Sequence, residues 1–548
     1  MRGERWSLGL ILAAIFGVLA IRADQPIVEN YVGRQIPTAM VARNLDRGSG
    51  FLHPTLDTGP FPNLFLVEPP IYAQLVAWVR SGIGFVWERS GESSVGFVWE
   101  VSGRLTSAVL TTLGAWSFYG LVRRREGPKV ALVALASFGI FPVTLRYGRA
   151  FQPDAAMLGF VLAGMRGWDE YQAGGHRRWA WLGGLTLAVG LAIKITSAWV
   201  LIPFFLVVTR LPVRSRIGFV LAMVSPAVAW YLHAWGEAYS MSAAEGSLAP
   251  SDNAAIWFRS FSPDNWLRFA TGEAVARNLL VRAFTPIGFV LALVGFGFVR
   301  AKSAGDRLWP GWGVGCGLAI LALAAKWHHG YYWLVVAPLA ALGVARALVA
   351  IGSSGRRGRI VAAVLGVSLV GLGGRQAAST WRDPSEWGPI RESADWVASF
   401  LPANVLLIAP EAVLYYADRR GFRLEFSPEA IRRASGEWGA PIALDRASVD
   451  PMTLVDFYAK QPGELRPWFV ADVGSAIGDE RRTAWRAALR RRPNTRIIVD
   501  KPTLILAQIV EPVLIFESGS RAESQELFSG SHPHVIDRTS SAQGHHGP

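Results

Sequence analysis

The apolar runs of this 548-residue chain are separated by gaps of two alternating kinds. One kind is filled with cations: Arg123, Arg124, Arg125 and Lys129; Arg177 and Arg178; Arg210, Arg214 and Arg216; Arg300, Lys302 and Arg307; Arg356, Arg357 and Arg359. The other kind holds the long polar segments 23–70 and 235–280, the stretch RYGRAFQPD from Arg146 to Asp154, and KWHHGYY from Lys326 to Tyr332. Cytoplasmic loops of polytopic membrane proteins retain Lys and Arg, so a cation bias alternating from gap to gap is a topology signal. It restricts the chain to a helical bundle in a bilayer. It also puts the carboxylate-bearing segments on the non-cytoplasmic face.

The composition agrees, with 51% hydrophobic and 18% charged residues and a mean hydropathy of +0.27. A soluble globule of this length has no use for so much apolar surface. Hydropathy predicts about eleven spans, near 6–22, 104–122, 130–145, 153–168, 179–194, 195–209, 217–234, 281–299, 309–325, 331–349 and 360–374. The run at 153–168 is short and carries Arg166. The net charge of +14 is assigned to loops held at an anionic leaflet rather than to nucleic acid. Trp6, Trp179, Trp235, Trp309 and Trp327 sit at predicted span ends, the pattern of an interfacial belt. The lone cysteine, Cys316, lies in an apolar run, which excludes an intrachain disulfide and a CxxC site.

Arg2 and Arg5 precede the first run, which reads as a retained signal-anchor with a cytoplasmic amino end, in the inner (plasma) membrane. Segment 23–103 then lies outside. Within it, PTAMVARNL (37–45) reads as a short helix with Ala39, Met40 and Leu45 toward the membrane, and EPPIYAQLVAWV (68–79) as an interfacial helix. GFVWERSG (84–91) recurs as GFVWEVSG (96–103), read as a local duplication that lengthens a surface loop. Residues 1–374 form the membrane domain on this reading. Residues 375–511 alternate strand-like stretches (405–410, 468–473, 496–500, 503–509) with helical ones (393–401, 479–492), a small α/β domain outside the membrane. Residues 512–548 are polar and read as a disordered tail, its closing histidine pair as composition.

The outer segments concentrate the groups that can do chemistry. Asp57 stands on a proline-flanked loop, Glu68 at the mouth of the interfacial helix, Asp154 after the third span and Glu29 in the first outer segment. A carboxylate there can take a proton from an acceptor hydroxyl or amine. Arg146 and Arg149 are three apart and share a helical face; with Lys194, Lys326, His328, His329 and Tyr332 they can hold a phosphate and stabilise its charge as it leaves. Taken singly, each of these residues also reads as an interfacial anchor or cap. His328–His329 and nearby carboxylates raise a divalent metal, but adjacent histidines on a helix diverge and no HExxH spacing occurs, so no metal is assigned. No nucleotide motif is present.

Four stretches carry a family resemblance: RQIPTAMVARNL (34–45), HPTLD with EPPIY (53–57, 68–72), RYGRAFQPDAAM (146–157) and HHGYYWLVVAP (328–338). In this order the chain resembles GT-C fold membrane glycosyltransferases of the family 39 type, the superfamily of protein mannosyltransferases and aminoarabinose transferases. The resemblance spans roughly residues 1–375. It implies inverting transfer of a sugar from a polyprenyl-phosphate donor to a glycan, lipid or protein acceptor at the outer face, with a carboxylate of the first outer loop as base; the lipid-linked sugar is the donor substrate, and a divalent metal stays open. Many members carry an Asp-Glu pair where Arg34–Gln35 stand here. Asp57 is then the first choice as base, with Glu29, Glu68 and Asp154 competing, and Arg34 becomes a phosphate contact. A secondary transporter or lipid flippase is the alternative from another class, disfavoured because the charges lie at span ends and the halves show no repeat. A non-catalytic assembly factor on the same fold is the third reading, kept by the missing acidic pair.

Overall fold

Backbone in hydrocarbon must satisfy its own N–H and C=O groups, so the apolar runs coil. The computed structural model describes residues 2–28, 34–59, 61–88, 98–240, 247–248, 263–264, 266–267, 272–297, 306–324, 329–403, 405–424, 455, 468–473 and 480–509. In the first half these form α1 (Arg2–Ala20), α2 (Gln35–Asp46), α3 (Ile71–Glu88), α4 (Val98–Glu126), α5 (Pro128–Ile140), α6 (Pro142–Tyr147), α7 (Pro153–Gly174) and α8 (Arg177–Ile193). A 3-10 turn, Ile195–Val200, leads into α9 (Leu201–Val207), and α10 (Val213–Ser240) follows. Then come α11 (Glu273–Arg277), α12 (Pro286–Gly297), α13 (Leu308–Ala322), α14 (Ala337–Ser353) and α15 (Arg356–Ala377).

Five helical segments among the described residues are long and apolar enough to cross a bilayer: α1, α4, α10, Gly330–Ser353 and Arg356–Trp381. A sixth crossing results if Val275–Ala283 and Pro286–Gly297, bent by 98°, count as one span. The expected eleven are not reached. The runs expected at 130–145, 195–209 and 309–325 form the shorter apolar helices Pro128–Ile140, Ile195–Val207 and Leu308–Ala322. The run expected at 153–168 becomes α7, which is longer and ends in the charged Arg166, Asp169 and Glu170.

Glycines set the closest helix contacts. A Cβ on Gly167 of α7 would lie 2.8 Å from the Gly183 Cα of α8, and one on Gly295 of α12 would lie 1.8 Å from the Gly343 carbonyl oxygen of α14. Small residues let backbones approach where no hydrophobic force drives association. At the arginine-rich end of the bundle, the α4 cations meet acids. Arg124 and Arg125 each lie 2.7 Å from Asp169, and Arg125 lies 2.8 Å from Asp306. Arg346 of α14 pairs with the buried Glu126.

Several expectations shift here. Ala39, Met40 and Leu45 of α2 are buried in protein rather than turned to lipid. The first copy of the duplication closes α3 and the second opens α4, so its described residues are helical rather than surface loop. Trp309 is a core residue, edge-on to Phe118 and tilted against Trp312, whereas Trp6 and Trp235 are exposed as a belt requires. Cys316 is buried and unpaired.

Beyond α15 lie α16 (Trp387–Phe400), β3 (Leu406–Ala409), α17 (Glu411–Tyr416), β4 (Gly421–Arg423), β5 (Trp468–Val473), α18 (Glu480–Arg491), β6 (Thr495–Asp500) and β7 (Leu504–Ile509), with the two-residue β1 (Leu64–Phe65) and β2 (Ser247–Leu248) earlier in the chain. The sheet runs β4-β3-β5-β7-β6, parallel at β4–β3 and β3–β5 and antiparallel at β5–β7 and β7–β6. Ile408, Phe422, Val470, Trp485, Leu489 and Ile505 fill one side of it. The four expected strands and both expected helices are present, together with the unexpected β4. Met1–Ile509 form one compact unit; the expected tail 512–548 lies outside the described residues.

Specific contacts join the sheet region to the first outer segment. The Gly421 and Gly59 amides donate to the Asp57 and Gly421 carbonyls at 3.0 and 2.6 Å. Arg22 pairs with Asp383 at 2.7 Å, and the Tyr416 hydroxyl accepts from the Ile27 amide at 2.8 Å.

Candidate functional site

Four chain segments that are far apart in sequence converge at the end of the bundle away from the α4 arginines. Arg34 is the residue just before α2, and Pro69–Pro70 separate Glu68 from α3. Pro153 at the first helical position of α7 suits the turn geometry, and Asp154 follows it, where the positive end of the helix dipole favours a carboxylate. Lys194 is the extended residue that ends α8. Tyr331 and Tyr332 lie on the 3-10 turn Gly330–Val336.

The elements are pinned to one another by buried hydrogen bonds. Gln35 accepts from the Phe151 amide at 2.8 Å, tying α2 to the 146–157 stretch. The Tyr72 hydroxyl donates to the Gly103 carbonyl at 2.9 Å, with Ser107 Oγ at 2.8 Å, fixing the start of α3 against α4. Trp230 Nε1 donates to the Leu66 carbonyl at 3.2 Å, two residues before Glu68.

Within this frame Arg34 Nη1 lies 3.3 Å from Glu68 Oε2. Lys194 Nζ lies 2.6 Å from Asp154 Oδ1, both side chains almost wholly buried. The same ammonium sits over the Tyr331 and Tyr332 rings at 4.9 and 5.3 Å. Arg34 is within electrostatic reach of Asp154, Tyr331 and Tyr332, so the two ion pairs form one cluster. Asp154 Oδ2 is buried and accepts no hydrogen bond among the described residues. His329 is exposed and stacks on Tyr331 at 5.3 Å. A cluster of two carboxylates, two cations and two phenols in reduced dielectric can bind a phosphate and, on the carboxylate side, accept a proton.

The other expected residues go elsewhere. Asp57 is buried, its Oδ2 held by Arg43 at 2.7 Å and its Oδ1 by Asn44 at 3.1 Å. Arg43 also donates to the Tyr415 carbonyl at 2.8 Å, sits over the Tyr415 ring at 4.7 Å and lies 3.2 Å from Asp418. This second cluster includes Glu100, whose carboxylate faces the Tyr416 hydroxyl. It joins α2 and the outer loop to α17, so Asp57 stands among docking residues. Arg149 donates to the carbonyls of Ile21 and Arg22 at 2.6 Å each, to Thr380 at 3.1 Å and to Gln25 Oε1 at 3.3 Å. Arg146 donates to the Gln376 carbonyl. Gly148 ends α6 between them, so the shared helical face expected from their spacing does not form, and both arginines clamp main chain. Glu29, Lys326 and His328 lie outside the described residues. Tyr331, like Tyr332, was expected as a hydroxyl at this outer span end; Arg43 was not singled out by sequence, and only knowing which distant residues meet would have marked it.

This architecture defines a class: the chain has the GT-C fold of membrane glycosyltransferases. The dolichyl-phosphate-mannose-protein mannosyltransferase family model matches residues 90–230, which include the RYGRAFQPDAAM stretch. ArnT from Cupriavidus metallidurans, in its apo state, is similar with TM-score 0.56 at 12% identity over 93% of this chain and 99% of that one. Arabinofuranosyltransferase AftD from Mycobacteria gives 0.54 at 13% identity, over 93% of this chain and 40% of that one. The Archaeoglobus fulgidus oligosaccharyltransferase gives 0.50 at 12% identity, over 75% and 62%. No curated protein matches the chain by sequence.

Proposed function

We propose that the chain is a glycosyltransferase that moves a sugar from a polyprenyl-phosphate donor to an acceptor at the outer face of the membrane. The observation that carries this is the convergence of Arg34, Glu68, Asp154, Lys194, Tyr331 and Tyr332 at one end of a GT-C bundle. The matched family is named for a dolichyl-phosphate-linked mannose donor, which supports a lipid-phosphate sugar here. Residues 375–511 act as an α/β appendage of the membrane domain.

On this reading Lys194 and Arg34 hold the donor phosphate, with Tyr331 and Tyr332 shaping its pocket. The acceptor oxygen or nitrogen attacks the anomeric carbon and its proton passes to Glu68 or Asp154. The bond from that carbon to the phosphate oxygen breaks with its electron pair left on the phosphate, whose charge the cations stabilise. Asp154, whose Oδ2 accepts no hydrogen bond among the described residues, and Glu68, which meets Arg34 at 3.3 and 3.5 Å, suit the base role better than Asp57, which is held by two donors at 2.7 and 3.1 Å.

The test is incubation of purified protein with a panel of polyprenyl-phosphate sugars, with free polyprenyl phosphate measured. Glu68→Gln and Asp154→Asn are run beside Asp57→Asn and Glu29→Gln. Loss of roughly 10²-fold or more in turnover with donor binding kept identifies the base. Full activity in all four removes the carboxylate mechanism. Absence of release from every donor favours the non-catalytic reading.

A further inference from the structure

A second constellation lies on α10 and the loop that follows α2. His233 and Glu237 are four apart near the carboxyl end of α10 and so share one face. His53 approaches them from the loop. His53 Nε2 lies 3.3 Å from Glu237 Oε1, and His233 Nδ1 lies 3.8 Å from the same oxygen. The two imidazoles meet edge to face with centroids 5.5 Å apart. One donor atom from each of the three residues lies within 4.8 Å of the others.

The tautomer of His233 is settled by its surroundings. Its Nε2 is 2.8 Å from the Leu52 carbonyl oxygen. A carbonyl only accepts, so Nε2 carries the hydrogen, and in the neutral ring that a metal requires the lone pair is then on Nδ1, turned toward Glu237. A ring held through one nitrogen by a backbone carbonyl, with the other nitrogen free, is how metal-binding histidines are oriented. The spacing agrees. Ligands bound at about 2.0–2.1 Å to a tetrahedral ion stand roughly 3.3–3.4 Å from each other. The His53–Glu237 separation of 3.3 Å has that value, and the remaining donor separations, 3.8 Å for His233–Glu237 and within 4.8 Å overall, need only small side-chain rotations to reach it.

We propose that His53, His233 and Glu237 form a site for a transition-metal dication of the zinc class. Two imidazoles and one carboxylate suit zinc and its neighbours and not calcium or magnesium, which prefer all-oxygen shells. His53 is about half exposed, with a side-chain relative exposure of 53%, which leaves a path for the ion and room for water at the fourth position. The ion fastens the outer loop to α10. Leu64 and Leu66 already pack on Trp230 and Ala234 of the same helix, and Glu68 follows two residues later. The site therefore sets the seat of the loop that carries Glu68, and it stands whether or not the transferase reading does.

The test uses the full-length protein, stripped with EDTA and exchanged into chelator-free buffer, then titrated with zinc against a chromophoric competitor. The histidine pair His545–His546 is a second potential binder, so a variant with both replaced by alanine serves as the background. In that background the expected result is a single zinc ion per chain and a raised unfolding temperature. His53→Ala, which alters an exposed loop residue and leaves the helix intact, and Glu237→Gln, which keeps the shape, should each weaken zinc binding by roughly 30-fold or more and abolish the thermal gain. Zinc uptake that disappears with the tail histidines, or that is unchanged in the His53→Ala, Glu237→Gln double variant, overturns the assignment. So does a background protein that takes up no zinc.

Discussion

Asp57 separates two readings of the outer loop, and Asp57→Asn tests them directly. The substitution keeps the shape and removes the charge that faces Arg43 across 2.7 Å. Arg43 is 7% exposed, so the change leaves a guanidinium largely out of water. Breaking a buried pair by removing one partner costs ~3–5 kcal/mol when nothing else covers the remaining charge. Here the Tyr415 carbonyl, the Tyr415 ring and Asp418 still face Arg43. The expected cost is therefore at the lower end, about 3 kcal/mol. Because Arg43 and Asp57 together hold α2 and the loop against α17, that cost falls on this junction. Limited proteolysis and thermal unfolding of the detergent-solubilised protein should show an earlier transition, with cleavage rising in the 50–60 and 410–424 segments. Turnover per folded molecule should fall far less than for Glu68→Gln or Asp154→Asn. An unfolding temperature equal to wild type, together with a fall in turnover of 10²-fold or more, would refute the docking role and return Asp57 to the chemistry.

Three further outcomes are expected. Lys194→Met and Arg34→Ala should each raise the apparent KM for the lipid donor or lower kcat by roughly tenfold or more, as loss of a charge-assisted contact worth ~1.5–3 kcal/mol implies; steady-state kinetics in both variants checks this, and wild-type constants would remove the phosphate assignment. Partial burial works to raise the Asp418 pKa, but the hydrogen bond from Arg47 and the charges of Arg43 and Arg47 outweigh it and hold it below the ordinary carboxylate value. Its contribution to the junction is thus complete above about pH 4 and drains away as pH falls through the lowered value, so protease sensitivity of the 410–424 segment should rise in acid and Asp418→Asn should flatten that dependence. Gly167→Val should abolish accumulation of folded protein, because the new side chain meets α8 backbone rather than a movable side chain; normal expression and a normal elution profile would contradict the close α7–α8 contact.

The membrane class was legible because charge alternation depends only on which gaps hold Lys and Arg. The strands of the sheet were legible because VLLIAP, WFVADV, RIIVD and TLILAQI are short apolar runs bounded by polar residues. β4 was not, since GFR has neither length nor pattern. The count of eleven spans is not confirmed where hydropathy cannot see a bend, as in the 98° break near Phe284–Thr285, or a helix cut short. At the site, Glu68, Asp154, Lys194, Tyr331 and Tyr332 could be picked as polar residues at span ends, and Arg34 through the family resemblance. Their pairing could not, because Asp154 and Lys194 are 40 residues apart. Arg149 misled for a related reason: its acceptors lie at Ile21, Arg22 and Thr380, more than a hundred residues away.

The resting ion pairs of the cluster bear on the order of events. Glu68 and Asp154 begin as counterions of Arg34 and Lys194, so the cations that would hold a phosphate are already in contact with carboxylate oxygens. A donor phosphate arriving between them competes for the same two cations. Each cation it draws away frees a carboxylate oxygen to meet the acceptor, so lipid binding is itself the step that opens the base. On the proposed chemistry the acceptor has no competent partner until the donor is seated. Initial-rate patterns should then be those of an ordered mechanism with the lipid first.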